Sequence, residues 1–160
     1  ETGAGGSAPK HVQQLVEENH LRWDSLGEFC ALGESLKFLA EARGKQQAQV
    51  LGEAVEAATQ QVLDNDRSPE RRVGVNDNRS SHYWFTRYWA EALAAQQDDA
   101  DLAAHFAPIA QALAEKEATI LAELQDGEGK PVDLGGYYHP AEDKTSAVMR
   151  PSATLNAILG

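Results

Sequence analysis

Leu102, Phe106, Ile109, Leu113, Ile120 and Leu124 recur at intervals of three, four and seven residues, the spacing that lines apolar side chains along one stripe of an α-helix. Apolar spacing is helical almost throughout the chain, which predicts an all-α fold: a helical bundle of about five main helices plus short C-terminal helices. The first helix runs from Pro9 to about Asn19 with Val12, Leu15 and Val16 on one face. Asp24 or Ser25 caps the second, where Ser25-x-x-Glu28 reads as a capping box; its buried stripe is Leu26, Phe29, Cys30, Gly33, Leu36 and Ala40, and Gly44 ends it. A third helix, about Lys45 to Leu63, turns Val50, Ala54, Ala57, Ala58 and Val62 inward. The fourth, about Ser81 to Gln96, gathers Tyr83, Trp84, Phe85, Tyr88 and Trp89, too many aromatics for one face to leave exposed, and belongs at the centre of the core. The fifth begins at Asp98 or Asp99 and carries the stripe named first, with Pro108 predicted to kink or split it. Two short proline-started helices follow from Pro140 and Pro151.

Two stretches lack this period. Residues 64–80 are polar and rich in turn formers, an ordered loop or the lip of a ligand site. Residues 127–140 form a second loop, in which Gly135-Gly136-Tyr137-Tyr138-His139-Pro140 reads as a tight turn packed by two tyrosines.

With 160 residues and 42% hydrophobic content, the chain has enough apolar material for one core. A formal charge of −11 opposes nonspecific binding to nucleic acid or to an anionic membrane, since the long-range field repels polyphosphate. Cys30 is the single cysteine, so no internal disulfide can form, and its place among apolar residues reads as a buried, inert thiol. No stretch approaches the roughly 20 apolar residues that span a bilayer, and the expected location is the cytoplasm. The chain has no initiator methionine before a loop that looks functional, so the expectation is a C-terminal part of something longer.

That loop is the first chemical signal. Gly3, Gly5 and Gly6 allow positive φ and close approach of a ligand, while Ser7 and Pro9 suit the N-cap and first turn of a helix whose exposed amides attract anions. Gly3-x-Gly5-x-x-Ala8 fits a dinucleotide fingerprint with Asp24 near the expected acidic position, but a Rossmann unit needs βαβ context and the continuation is helical. Phosphate or dinucleotide binding in another architecture remains open.

Basic residues in an otherwise acidic chain sharpen this. His11 lies one turn into the first helix, Arg22 follows it, and Arg71-Arg72 sit on the polar loop. Two arginine forks and a histidine suit a 2′-phosphate and would form an NADP-selecting pocket; the blander reading is solvated or ion-paired surface residues. His20, His82, His105 and His139 show no paired-ligand spacing and read as structural, so no metal site is expected within the chain. The carboxylates are spread over solvated faces and Ser7 has no base beside it, so no catalytic residue is assigned.

Longer motifs carry a family resemblance. Glu-Thr-Gly-Ala-Gly-Gly-Ser-Ala-Pro-Lys-His at 1–11, Leu-Arg-Trp-Asp-Ser-Leu-Gly-Glu at 21–28, Asp-Asn-Arg at 77–79, Tyr-Trp-Ala-Glu-Ala-Leu-Ala-Ala-Gln at 88–96, Gly-Gly-Tyr-Tyr-His-Pro at 135–140 and Val-Met-Arg-Pro-Ser-Ala-Thr at 148–154 resemble monomeric NADP-dependent isocitrate dehydrogenase. The resemblance spans the chain and implies that residues 1–160 are the C-terminal, NADP-contacting helical part of that enzyme's small domain, an α/β domain when complete. It implies oxidative decarboxylation of isocitrate to 2-oxoglutarate, hydride transfer to NADP, and a Mg or Mn ion whose ligands, like the catalytic lysine and tyrosine, lie outside this chain. Carried over residue by residue, it implies cofactor contacts from Gly6 and Ser7 in the loop, from His11, Arg22 and Arg71 toward the 2′-phosphate, the choice of Arg71 over the adjoining Arg72 resting on the motif match, and from Trp23 and Asp24 beside the adenosine end. The expected partners are NADP, isocitrate and the missing N-terminal portion of the same chain, without which the segment is inactive. A helical interaction module with no catalytic role is the alternative.

Overall fold

The structure is a computed structural model that describes residues 4–160, with side chains from Pro9 onward. Among the described residues it holds eight helices and no strand: α1 (Ala4–Glu18), α2 (Leu26–Arg43), α3 (Gln46–Asp64), α4 (Asn78–Ala95), α5 (Ala100–Glu115), α6 (Glu117–Gln125), α7 (Glu142–Met149) and α8 (Ala153–Leu159). The all-α expectation holds. The chain divides into two compact units, one containing the residues up to Asp24, Ser68–Ser81 and Glu117–Gly160, the other Ser25–Arg67 and His82–Lys116.

In the second unit α2 packs along α3. Small residues permit the close approach: a Cβ at Gly52 would stand 3.0 Å from the Gly33 carbonyl oxygen, and one at Gly33 would stand 3.2 Å from Val55 Cγ1. Phe29 stacks on Phe85 with centroids 4.0 Å apart, over a floor of Val55, Ala58 and Val62. Val50, Ala54 and Leu93 form an adjoining cluster with Leu102 and Phe106. Trp89 touches both clusters and donates its indole N–H to the Leu51 carbonyl at 3.2 Å. The aromatic helix is central, as its composition requires: Tyr83, Trp84 and Phe85 are buried.

Several details differ from the sequence reading. Cys30 is exposed, because the buried edge of α2 narrows to Phe29 and Gly33, and Cys30 sits about 100° further round. Ala57 is likewise exposed, while Val55 takes the interior place. Ser25 stands at the N-cap of α2 without a side-chain capping bond; its ψ of 17° lies outside the extended region that capping needs. Gly44 ends α2 as expected, in the left-handed region at φ 62°. Pro108 lies inside α5, and the long stripe breaks instead at Lys116, between α5 and α6. Proline forfeits one helical hydrogen bond, and an amphipathic helix with a buried stripe tolerates that loss.

In the first unit, α1 begins at Ala4, before the expected Ser7 cap, with Pro9 inside. Glycine without a Cβ enters the right-handed helical region as freely as the left-handed one, and the fixed φ of proline is helical, so the segment extends α1. Asn19 ends α1 in the left-handed conformation at φ 46°, its amide bonded to the Leu15 carbonyl at 2.8 Å. The amides of Gly129 and Val132 satisfy the carbonyls of Glu18 and Val16 at that end. α4 starts earlier than expected because Asp77 caps it, Oδ1 accepting from the amides of Arg79 and Ser80. Tyr137 and Tyr138 form an edge-to-face pair that stays exposed, so they do not pack the turn beside them.

Candidate functional site

A cavity of about 450 Å3 in the first unit is lined by His11 and Gln14 of α1, by Arg22, Trp23 and Asp24 of the following segment, and by Pro69, Glu70 and Arg71 of the polar loop. His11 and Gln14, three residues apart, share a helix face. The turn at Asn19 carries the chain from α1 into residues 20–24, which run beside the start of α4: the Asn78 amide donates to the Leu21 carbonyl at 2.8 Å and Asn78 Nδ2 to the Trp23 carbonyl at 2.6 Å.

Five residues singled out in the sequence therefore meet at one cavity: His11, Arg22, Trp23, Asp24 and Arg71. Arg72, its neighbour, is not among the lining residues. Gly6 and Ser7 fall in the helical stretch of α1, but their side-chain surroundings lie outside the described residues.

The cations are held in different ways. Arg22 donates Nε–H to the Arg71 carbonyl at 2.7 Å and Nη1–H to Glu18 Oε2 at 2.5 Å, one helical turn back. Arg71 is exposed. His11 packs edge-to-face on Trp23 with centroids 5.2 Å apart, and its Nδ1 is buried with no hydrogen-bond partner among the described residues. An imidazole, two guanidinium groups and an indole on one cavity lining form a set that suits an anionic aromatic ligand.

Behind the cavity lies a polar hub that the sequence did not reveal. His20 is fully buried, with Nδ1 3.1 Å from Glu128 Oε2 and Nε2 2.9 Å from the Glu70 carbonyl. Asp77 pairs with Arg79 at 2.7 Å, and Arg79 also donates to Asn19 Oδ1, the Asn19 carbonyl and the Val148 carbonyl. Burial pulls the His20 pKa down, but the Glu128 hydrogen bond, the Glu70 carbonyl and the charges of Glu128 and Asp77 outweigh it, and the net shift is upward. His20, Asp77 and Glu128 place ligand atoms within 4.8 Å of one another. The His20 nitrogens and Asp77 are already hydrogen-bonded, and Arg79 stands 2.7 Å from Asp77 and 4.0 Å from Glu128, so although Glu128 Oε1 has no hydrogen-bond partner among the described residues, the guanidinium supplies the positive charge that a divalent metal would otherwise bring. His82 and His105 pack against Phe29 and Phe106, and His139 is exposed.

No helix among the described residues is long and apolar enough to cross a membrane.

The family model for monomeric isocitrate dehydrogenase matches residues 1–160. The chain is 57% identical over 159 residues to an NADP isocitrate dehydrogenase of Corynebacterium efficiens, covering 99% of this chain and 22% of that protein. It is also 57% identical over 159 residues to NADP isocitrate dehydrogenase 2 of Mycobacterium tuberculosis and to the NADP enzyme of Azotobacter vinelandii, covering 99% of this chain in each and 21% and 22% of those proteins. The chain thus spans about a fifth of the length of these relatives.

Proposed function

The chain belongs to the monomeric isocitrate dehydrogenase family, and on that premise we propose that it is the C-terminal, NADP-contacting part of the small domain of an enzyme that converts isocitrate to 2-oxoglutarate in the cytoplasm. The convergence of His11, Arg22, Trp23, Asp24 and Arg71 on one cavity carries this reading. Arg22 and Arg71 bind the 2′-phosphate, with His11 offering a third polar contact; Trp23 and Asp24 flank the adenosine; and Gly6 and Ser7, in the first turns of α1, contact the cofactor.

When bound, NADP accepts the hydride released from the substrate carbon. The residues of this chain bind and orient the cofactor; they include no assigned acid, base or nucleophile. The buried trio His20, Asp77 and Glu128, already balanced by Arg79, does not suit Mg or Mn, and the family resemblance assigns the ligands of that ion, the isocitrate contacts and the catalytic lysine and tyrosine to the rest of the enzyme. Phe38, 70% exposed on α2, and the exposed Leu32 and Leu39 of the same helix are apolar side chains that the remaining polypeptide would cover.

Titration of the intact enzyme with NADP and with NAD tests the assignment. Arg71→Ala is expected to weaken NADP and leave NAD nearly unchanged. Equal loss for both cofactors refutes the 2′-phosphate assignment, and no loss for either favours a helical interaction module.

A further inference from the structure

Resting on the reading of the cavity as a 2′-phosphate site, we propose that His20 is a positioning residue for it: by donating from both ring nitrogens it clamps the loop segment that presents Arg71. His20 Nε2 meets the Glu70 carbonyl at 2.9 Å and Nδ1 meets Glu128 Oε2 at 3.1 Å. Glu128 Oε2 in turn accepts the Gly74 amide at 2.7 Å. One buried pair therefore grips the loop at residues 70 and 74, and Arg71 lies between the two grips. Arg22 adds a third hold at the Arg71 carbonyl.

The clamp depends on charge. A carbonyl and a carboxylate only accept, so each ring nitrogen must carry a proton, and only the imidazolium has two N–H groups. A neutral ring would leave one buried nitrogen facing an acceptor without a hydrogen between them. The charged groups facing His20 are Glu128 and Asp77, with Arg79 paired to Asp77 at 2.7 Å and 4.0 Å from Glu128. Two carboxylates and two cations balance; a neutral His20 leaves one negative charge uncompensated in a buried site. The upward pKa shift agrees with this. Because the folded pKa is raised, the clamp's contribution is complete below the free imidazole value of about 6.5 and is lost as pH rises through the folded value.

A double-mutant cycle in the intact enzyme separates positioning from general packing. His20→Asn is expected to weaken NADP on the order of tenfold while changing NAD less than about twofold, and to add almost nothing when Arg71 is already alanine. Full additivity of His20→Asn and Arg71→Ala would overturn the proposal, because His20 would then act independently of Arg71. Equal loss of both cofactors in Arg71→Ala alone would overturn the underlying phosphate assignment and the clamp's purpose with it. Should His20→Asn fail to fold, nitrogen NMR of the unmutated protein decides. Both His20 ring nitrogens are expected to be protonated at neutral pH, and a single-proton tautomer would overturn the proposal.

Discussion

Arg22 donates its Nε–H to the main-chain carbonyl of Arg71 at 2.7 Å, so one of the two cations at the cavity holds the backbone of the other. The relationship is asymmetric. Arg22 contributes its own guanidinium and also the placement of Arg71, whereas Arg71 contributes only its side chain. Arg22→Ala is therefore expected to weaken NADP more than Arg71→Ala, with each lost charge-assisted contact worth about 1.5–3 kcal/mol, or roughly ten- to a hundredfold in affinity. Fluorescence titration of both variants with NADPH checks the order; a reversed order removes the anchoring role of Arg22.

Tyr83, fully buried, donates its hydroxyl to the Leu113 carbonyl at 2.9 Å. Leu113 lies in the last turn of α5, where carbonyls lack an intrahelical partner. Tyr83→Phe leaves that acceptor unsatisfied and is expected to lower stability by about 1–3 kcal/mol, read from the denaturant midpoint at unchanged m-value.

The contact between α2 and α3 should resist any side chain at Gly52, where a new Cβ meets the Gly33 carbonyl oxygen and Lys37 Cγ, each at 3.0 Å. Lys37 can move; the backbone carbonyl can do so only if the helices part. Gly52→Val is expected to destabilise by about 1–3 kcal/mol through overpacking, whereas Gly27→Ala, with nothing within 4 Å of the new Cβ, is expected to be neutral or mildly stabilising. Thermal melts of the two variants make the comparison.

Glu123 of α6 holds the start of α8: Oε2 accepts from Ser152 Oγ at 2.6 Å and the Thr154 amide at 3.0 Å, and Oε1 from Thr154 Oγ1 at 2.9 Å. Ser152 Oγ itself caps the Leu155 amide. The Ser152 hydrogen bond, followed by those from Thr154, lowers the Glu123 pKa below the usual carboxylate range. A depressed carboxylate contributes stability above its unfolded pKa and loses it as pH falls through the folded value, so docking of α8 should weaken in acid. Ser152→Ala is expected to cost about 1 kcal/mol as a lost N-cap. Hydrogen exchange of the α8 amides, faster in the variant and at low pH, is the readout.

How far the sequence revealed this molecule depends on whether a feature is periodic or depends on a three-dimensional meeting. The helices were readable because apolar residues repeat at helical spacing, and Gly44 marked a stop that only glycine adopts cheaply. The start of α1 departs from the sequence expectation because glycine and proline permit both a loop and a helix. The start of α4 lies three residues before the expected Ser81 because its true cap, Asp77, sits in a run with several other possible caps. Arg22 and Arg71 stood out as cations in an acidic chain, yet nothing in their 49-residue separation indicated that they meet. His20 was the hardest to read: its partner Glu128 lies 108 residues away, and the Glu70 contact uses a main-chain carbonyl that any residue would supply.

Phosphorus NMR of NADP bound to the intact enzyme tests most directly whether Arg22 and Arg71 read the 2′-phosphate. Cations beside a phosphate favour its dianion, so the bound 2′-phosphate resonance is expected to shift and to titrate below the value of about 6 for a free phosphate monoester, with both effects lost in the Arg22→Ala, Arg71→Ala double variant. A 2′-phosphate signal that titrates as in free NADP while the pyrophosphate signals move would place the recognition elsewhere and contradict the assignment.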